Sequence, residues 1–401
     1  MTHEEPHIVL ALAAAVTLLL SGCTGQETSE PAQQSPNTQS SPTLNAVGDS
    51  AAATGDCGDA SCVSLTFTGD FLVHNLLWAQ ASADARLTGQ ELLDFEPMIA
   101  SQKPYLEKSD LAVCQMETPV AVESGPYSGY PSFNVPPQIL TAAANIGWDA
   151  CMTASNHSID QGTAGLERTY RAVEEAGMGV TGTNLSEDES QQPDIFESAN
   201  GVKIAVVTGT YGLNGQVPEH NWQVDMLDTK TMIAKAQRAR EKGADIVVAN
   251  MHAGDEYVTE PNNQQITVAR ELSDSEAFDL IVGQHAHTVQ PIEKYGDTWV
   301  VYGMGNNVTE LSPSIVGNNE GIMVNAVMTR DDAGDWSVKA LRWAPSMMVD
   351  DPSYRYCITS PSSAASSCAA PARAAASYAR VKQAVESRGG VADGLQEWVL
   401  N

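Results

Sequence analysis

From Cys62 onward, short runs of apolar and β-branched residues alternate with longer stretches in which apolar positions recur at helical spacing. The runs Val63 to Thr68, Leu111 to Gln115, Ala150 to Thr153, Val202 to Thr208, Asp245 to Asn250, Leu280 to Val282 and Thr298 to Tyr302 predict strands. Leu92 to Glu107, Pro137 to Ile146, Ala164 to Ala176, Thr229 to Lys242 and Asn263 to Ser273 predict the helices between them. Strands separated by helices build a layered α/β sheet, because each crossover lays a helix on a sheet face. Gly321 to Met328 and Trp336 to Trp343 flank Asp331-Asp332-Ala333-Gly334, which predicts a hairpin. Beyond Val349 the composition shifts: Pro352 to Ala370 is rich in Ser, Ala and Pro, and Ala372 to Ser387 predicts a terminal helix that packs on the main domain.

The chain has 401 residues, enough for a sizeable core. Its first segment is not core. Ile8 to Leu20 is a nearly all-apolar run too short to span a bilayer, and it ends in Leu20-Ser21-Gly22-Cys23, which resembles a bacterial lipobox. The expectation is a leader over 1–22, lipidation at Cys23 and anchorage at the extracytoplasmic face of the membrane; the alternative is an ordinary secretory leader with an incidental cysteine. Met1 to His7 departs from export signals in carrying Glu4 and Glu5 and no Lys or Arg, which puts the start codon in question. Thr24 to Gly58, rich in Ser, Thr, Gln, Pro and Ala, buries too little apolar surface to offset ordering entropy and reads as a tether. The expected organisation is therefore a leader (1–22), a tether (23–60), a main domain (61–350) and a C-terminal tail (351–401).

The formal net charge is −29, and removing the leader deletes two acids and no base. Such a surface excludes nucleic acid as a partner, since phosphate backbones are bound through Lys and Arg. It also slows any polyanion unless bound cations reverse the sign locally. Of seven cysteines, six remain when Cys23 is set aside, an even number suited to an oxidising exterior. Cys57 with Cys62 and Cys357 with Cys368 would close local loops. Cys114 and Cys151 follow apolar runs and either meet between adjacent strands or stand as small buried apolar residues.

Chemistry-bearing residues gather where these apolar runs break into turns: Thr68-Gly69-Asp70, Gln115-Met116-Glu117, Ser155-Asn156-His157, Met251-His252-Ala253-Gly254 and Gly283-Gln284-His285-Ala286-His287. Side chains delivered that way converge on the carboxyl edge of a sheet, where α/β proteins build sites. Asp70 follows Gly69 at a strand end, or else caps a helix starting near Phe71. Asn156-His157 sets an amide ligand beside an imidazole, with Asp160 placed to orient that ring; the plain alternative is ordinary Asn-His turn chemistry. An H-x-H pair on an extended edge points His285 and His287 to one side. Four of the six histidines beyond the leader lie in these clusters, leaving His74 and His220 outside, and His74, one helical turn past Asp70, is a further candidate to ligate or line the site. Asp70, Glu117, Asn156, His252, His285 and His287 form an oxygen and nitrogen ligand set without thiolate, suited to two divalent ions (Mn, Fe or Zn) sharing a bridging carboxylate. His157 is then free to protonate a leaving group. Gly209 to Gly215 lacks the Lys-Ser/Thr of a phosphate-binding P-loop, which argues against a nucleotide kinase.

Gly69-Asp70, Gln115-Met116-Glu117-Thr118-Pro119, Ser155-Asn156-His157 with Asp160, Gly162, Gly165, Leu166 and Thr169, His252-Ala253-Gly254-Asp255-Glu256-Tyr257, Gly283 to Gln290 and Tyr302-Gly303-Met304-Gly305-Asn306, in this order, resemble the CapA family. That family is associated with poly-γ-glutamate capsule biosynthesis and belongs to the calcineurin-like metallophosphatase superfamily. The resemblance implies a four-layer α/β sandwich with helices flanking two mixed β-sheets and a dinuclear centre at the strand ends. It puts Asp70, Glu117, Asn156, His252, His285 and His287 at the metal positions, His157 and Asp160 in catalysis, and Glu256, Tyr257 and Asn306 at the substrate. Gln115, Ser155, Ala253, Gln284, Ala286 and Asn307 depart from the commoner family residues, which thins the aromatic wall of the pocket. The expected activity is that of a lipid-anchored metallohydrolase acting on poly-γ-glutamate or a related anionic envelope polymer beside a capsule-synthesis membrane complex. The alternatives are a surface phosphomonoesterase or nucleotidase acting on phosphoesters, and a non-catalytic polymer-binding component of an export complex.

Overall fold

A computed structural model describes residues 57, 61–311, 315, 317–364 and 369–400. The expected leader, the lipidation site Cys23, nearly all of the tether and Cys368 lie outside the described residues. Among the described residues no helix is long and apolar enough to cross a membrane.

In chain order the strands are β1 (Cys62–Leu72), β2 (Leu111–Met116), β3 (Ala150–Met152), β4 (Gly179–Thr181), β5 (Ile195–Glu197), β6 (Lys203–Thr210), β7 (Ile246–His252), β8 (Leu280–Gln284), β9 (Ile292–Tyr295), β10 (Thr298–Val301), β11 (Asn306–Thr309), β12 (Glu320–Arg330), β13 (Trp336–Val349), β14 (Arg355–Ile358) and β15 (Gln396–Glu397). The helices are α1 (Asn75–Thr88), α2 (Glu96–Ile99), α3 (Lys103–Leu106), α4 (Gln138–Ile146), α5 (Gly162–Glu175), α6 (Glu187–Ser190), α7 (Thr229–Glu241), α8 (Asn263–Asp274) and α9 (Pro371–Glu386). One sheet runs β14-β13-β12-β1-β2-β3-β4, with β11 also on β1 and β15 on β13; the other runs β5-β6-β7-β8-β10-β9. Both are mixed: β1 to β4 are parallel and β12 to β14 antiparallel, while β6, β7, β8 and β10 are parallel between antiparallel β5 and β9.

Strand alternation divides the core into layers. Val63, Leu65, Phe67, Leu111 and Val113 of the first sheet meet Ile204, Val206, Ile246 and Val248 of the second in a dry cluster between the sheets. The opposite faces serve the helices. Ala112, Cys114 and Met116 pack under α1 to α5, and Ala205, Val207, Val247 and Ala249 pack under α7 and α8. The result is the four-layer sandwich, helices outside and two mixed sheets within. Val381 and Val385 of α9 close one side of the inter-sheet cluster, and β14 and β15 extend the first sheet on β13.

The predicted helix over Leu92 to Glu107 is instead α2, a 3-10 turn at Ala100–Gln102 and α3. Pro97 and Pro104 each sit in the first turn of their short helix; a proline has no N–H to continue a helical ladder, so it starts a helix more readily than it extends one. The helix α1, ended by Gly89 in the left-handed region (φ 84°), carried too weak a periodicity to be read. The hairpin forms as expected, with Arg330 opposite Trp336 and the Asp331 carboxylate accepting from the N–H groups of Ala333 and Asp335. Cys114 and Cys151 face one another across β2 and β3 and are disulfide-bonded, with Cα atoms 4.5 Å apart. Cys57 is bonded to Cys62, and Cys357 is in a disulfide as well.

Candidate metal centre

The carboxyl ends of β1, β2 and β3 in one sheet and of β7 and β8 in the other point to the same edge of the sandwich, and six side chains meet there. Asp70 does not end its strand, as the sequence suggested, and it caps no helix; α1 begins after His74. It stands at a register irregularity where β1 leaves β12 and takes up β11, and its N–H bonds to Gly305 O at 3.0 Å. Gly69 is required for that crossing, since a Cβ there would lie 2.0 Å from the same carbonyl oxygen. Glu117 follows the last residue of β2 and is fully buried. Asn156 and His157 lie in the turn after β3, and His252 closes β7. His285 and His287 come just after β8, but not on an extended edge. Both have left-handed backbones (φ 88° and 52°), so a strained turn rather than strand alternation brings their rings inward.

The distances are those of one pocket. His252 Nε2 lies 2.9 Å from Asn156 Oδ1 and 3.9 Å from Glu117 Oε1, while His252 Nδ1 is 3.8 Å from Asp70 Oδ1. His287 Nδ1 lies 3.4 Å from Asp70 Oδ2, and its Nε2 is 3.6 Å from Glu117 Oε1. The backbone N–H of His285 donates to Asp70 Oδ2 at 3.1 Å. Among the described residues three groups are spaced to hold an ion: Glu256 with His285 and His287 at the mouth, and, deeper, two that share a carboxylate, Glu117 with His252 and His285 and Asp70 with Glu117 and His287. Glu117 belongs to both, which is what a bridging carboxylate requires.

The donor set fits divalent cations. Asp70 Oδ1, both carboxylate oxygens of Glu117, and Nδ1 of His252 and of His285 are buried without a hydrogen-bond partner. Buried polar atoms are seldom left unpaired, so five orphans converging on one point mark a place built for something else. The electrostatics agree. Burial, and after it the charge of Asp70, hold the Glu117 carboxyl well above its usual range, although His287 opposes this. Burial and the neighbouring imidazoles press His252 well down and His285 to about 3. On His287 burial acts downward too, but Glu117 and Asp70 outweigh it and lift the ring to about 10. Two of the three rings are thus held neutral, as nitrogen ligands must be, while Glu117 and Asp70 favour positive charge on His287.

Around this centre the other expected residues divide. His157 sits beside the pocket with Nδ1 at 2.7 Å from Asp160 Oδ2, its ring edge-on to Phe133. Asn306 Oδ1 is 3.0 Å from His287 Nδ1, so Asn306 orients a ring of the pocket. Glu256 is exposed at the mouth, its carboxylate near His285 and His287, and Tyr257 stacks on His287. His74 is in neither group that includes Glu117; its Nε2 is buried without a partner, and burial, then His287 and His157, lower the ring to about 4. His220 stacks on Trp222 instead of entering the pocket.

Sequence reasoning missed the turn after β6. Tyr211 lies over His285 with ring centroids 4.5 Å apart, and Asn214, itself left-handed (φ 50°), accepts from Asn156 Nδ2 at 3.3 Å. The signal is present in the chain, a Gly-containing break at a strand end like those at Gly69, Gly254 and Gly283, but Gly209 to Gly215 enters the sequence reading only as a phosphate loop that lacks its Lys-Ser/Thr. Four of the six departures from the commoner family residues are bound into buried polar contacts, Ala253 and Ala286 being apolar. Ser155 Oγ donates to Glu117 O, Gln115 Oε1 accepts from Asn250, Gln284 reaches Thr68 O, and Asn307 joins Gln102 to Thr68.

The family described as bacterial capsule synthesis protein PGA_cap matches residues 64–310. The PGA biosynthesis protein CapA of Bacillus subtilis (strain 168) is 28% identical over 210 residues, covering 51% of this chain and 55% of that protein. The capsule biosynthesis protein CapA of Bacillus anthracis is 28% identical over 216 residues, covering 51% of this chain and 52% of that one. The chain thus spans about half the length of the curated relatives it matches. A solved structure of the calcineurin-like phosphoesterase YfkN from Bacillus subtilis aligns with a TM-score of 0.42 at 15% identity, covering 80% of this chain and 97% of that one.

Proposed function

Because the chain belongs to the bacterial capsule synthesis protein family PGA_cap, we propose that it is a metal-dependent hydrolase of the cell envelope that acts in the synthesis, release or transfer of poly-γ-glutamate or a related anionic polymer. It works from a lipid anchor at Cys23, beside the membrane complex that makes the polymer. The observation that carries this reading is the convergence of orphaned, buried ligand atoms from Asp70, Glu117, His252 and His285 on one pocket.

Asp70, Glu117 and His287 would hold one divalent ion, and Glu117, Asn156, His252 and His285 the other. Bound there, such ions acidify water and neutralise charge on a carbonyl or phosphoryl oxygen. The rest falls to the protein. Asp160 accepts the Nδ1–H of His157 and so orients the ring, and in its doubly protonated form that ring presents Nε2–H as the proton given to a leaving group, returning to the neutral imidazole. Asn306 holds the plane of His287, and the buried walls limit water at the reacting atoms.

The test is hydrolysis by purified, Mn²⁺-loaded protein of poly-γ-glutamate and of aryl phosphates. Turnover of the polymer supports the proposal. Turnover of aryl phosphates alone makes it a surface phosphomonoesterase, and no turnover of either with metal bound makes it a polymer-binding component.

A further inference from the structure

The loop between β7 and α8 is held in place more firmly than a connection needs to be. Tyr257 N–H donates to Ala286 O at 2.7 Å, and Gln290 Nε2 donates to Val258 O at 2.9 Å and Glu260 O at 3.4 Å. Gly254, in the left-handed half of the map (φ 137°), lies so close to the Gln265 side chain that a Cβ would meet it at 2.9 Å. Tyr257 is a non-glycine residue at φ 67°. Such a backbone is sterically disfavoured and persists where its surroundings over-determine it, most often at functional sites.

That seating presents two groups to the pocket mouth. The Glu256 carboxylate comes within 4.8 Å of ring nitrogens of both His285 and His287 while its residue stays exposed. The Tyr257 ring stacks on His287 with centroids 6.0 Å apart, and Tyr211 lies over His285 from the opposite loop. Both tyrosines remain about 40% exposed. A carboxylate between two partly open aromatic faces attracts a cation through charge-assisted hydrogen bonding and through the ring quadrupoles, and repels a carboxylate. In a γ-linked glutamate chain each internal unit shows an anionic carboxylate and a neutral amide. Only the first unit carries a free ammonium.

Resting on the polymer reading above, we propose that Glu256, flanked by Tyr211 and Tyr257, is a specificity residue that binds a primary ammonium next to the group held in the metal pocket, so that the polymer is engaged at its free amino end. An acidic mouth on a protein that handles a polyanion then has a physical use: internal units are turned away, and the terminal unit is drawn in.

Calorimetric binding to the Mn²⁺-loaded full chain tests this with two ligand pairs, hexa-γ-glutamate against its N-acetylated form, and phosphoethanolamine against ethyl phosphate. The free amine is expected to bind about tenfold or more tightly than its blocked partner, the usual worth of a charged hydrogen bond. Glu256→Gln is expected to erase that difference with bound manganese unchanged by elemental analysis. Equal affinities in the unaltered protein would overturn the proposal, and so would loss of manganese in the variant, which would make Glu256 a metal ligand. Preference for phosphoethanolamine without binding of either hexamer would uphold ammonium selection while rejecting the polymer.

Discussion

Nδ1 of His157 lies 2.7 Å from Oδ2 of Asp160, and that carboxylate is fixed in turn by the N–H of Phe133 at 2.8 Å and by Gln216 Nε2 at 3.0 Å. The imidazole is thus oriented by a group that is oriented itself, the usual arrangement for a ring that must present one particular nitrogen.

Replacing His157 by Ala should leave metal in place and lower any hydrolytic rate by roughly 10²–10⁴, the reach of a general acid. Asp160→Asn should lower it less, because the ring remains but loses the carboxylate that orients it. Single-turnover rates alongside elemental analysis check both, and an unchanged His157→Ala rate removes that residue from catalysis.

His285 and His287 reach the two deeper ion-holding groups from one strained turn, so losing both rings strips a nitrogen ligand from each. The double substitution to Ala should abolish stoichiometric metal binding with far-UV circular dichroism preserved. Unaltered metal content would reject the centre.

The Cys114–Cys151 bridge ties neighbouring parallel strands across a sequence separation of 37 residues. Closing a loop of that length in the unfolded chain is worth about 2–4 kcal/mol. The Cys114→Ala, Cys151→Ala double variant should melt several degrees lower in calorimetry. An unchanged Tm would show that the bridge adds nothing beyond the packing of two small buried side chains.

Burial lifts the Asp149 carboxyl to about 6, against the hydrogen bond from Ala112 N–H and with help from Asp110. Its folded pKa exceeds its unfolded one, so the folded chain binds more protons between about pH 4 and 6. The cost of ionising it is fully present above pH 6 and fades as pH falls through that window. Asp149→Asn, which keeps the acceptor, should therefore stabilise by up to about 3 kcal/mol at pH 7.5 and by much less at pH 4.5. Urea unfolding at the two pH values measures the difference, and equal gains at both would refute the assignment.

Much of this was legible in the chain because strand periodicity is local. Val63 to Thr68 and Leu111 to Gln115 announce themselves by their own residues, and so do the breaks that follow them. The short strands β4, β5 and β14 were not legible, since they carry neither a period nor a bounded apolar run like those that mark β3 and β10. Nor was the interruption at Ala100–Gln102, where a 3-10 turn separates α2 from α3 in what reads as one helical stretch.

Residue type and position at the strand ends were enough to name Asp70, Glu117, Asn156, His252, His285 and His287 and the chemistry such a set supports. How they are shared out was decided only by packing two sheets face to face. That packing makes Glu117 common to both deeper ion-holding groups, lays Tyr211 over His285 and brings Glu256 to the mouth. The physical reason is range: a side chain's periodicity is set by its own neighbours in the chain, whereas a separation of three or four ångströms between residues far apart in sequence is set by the close-packed core that lies between their strands.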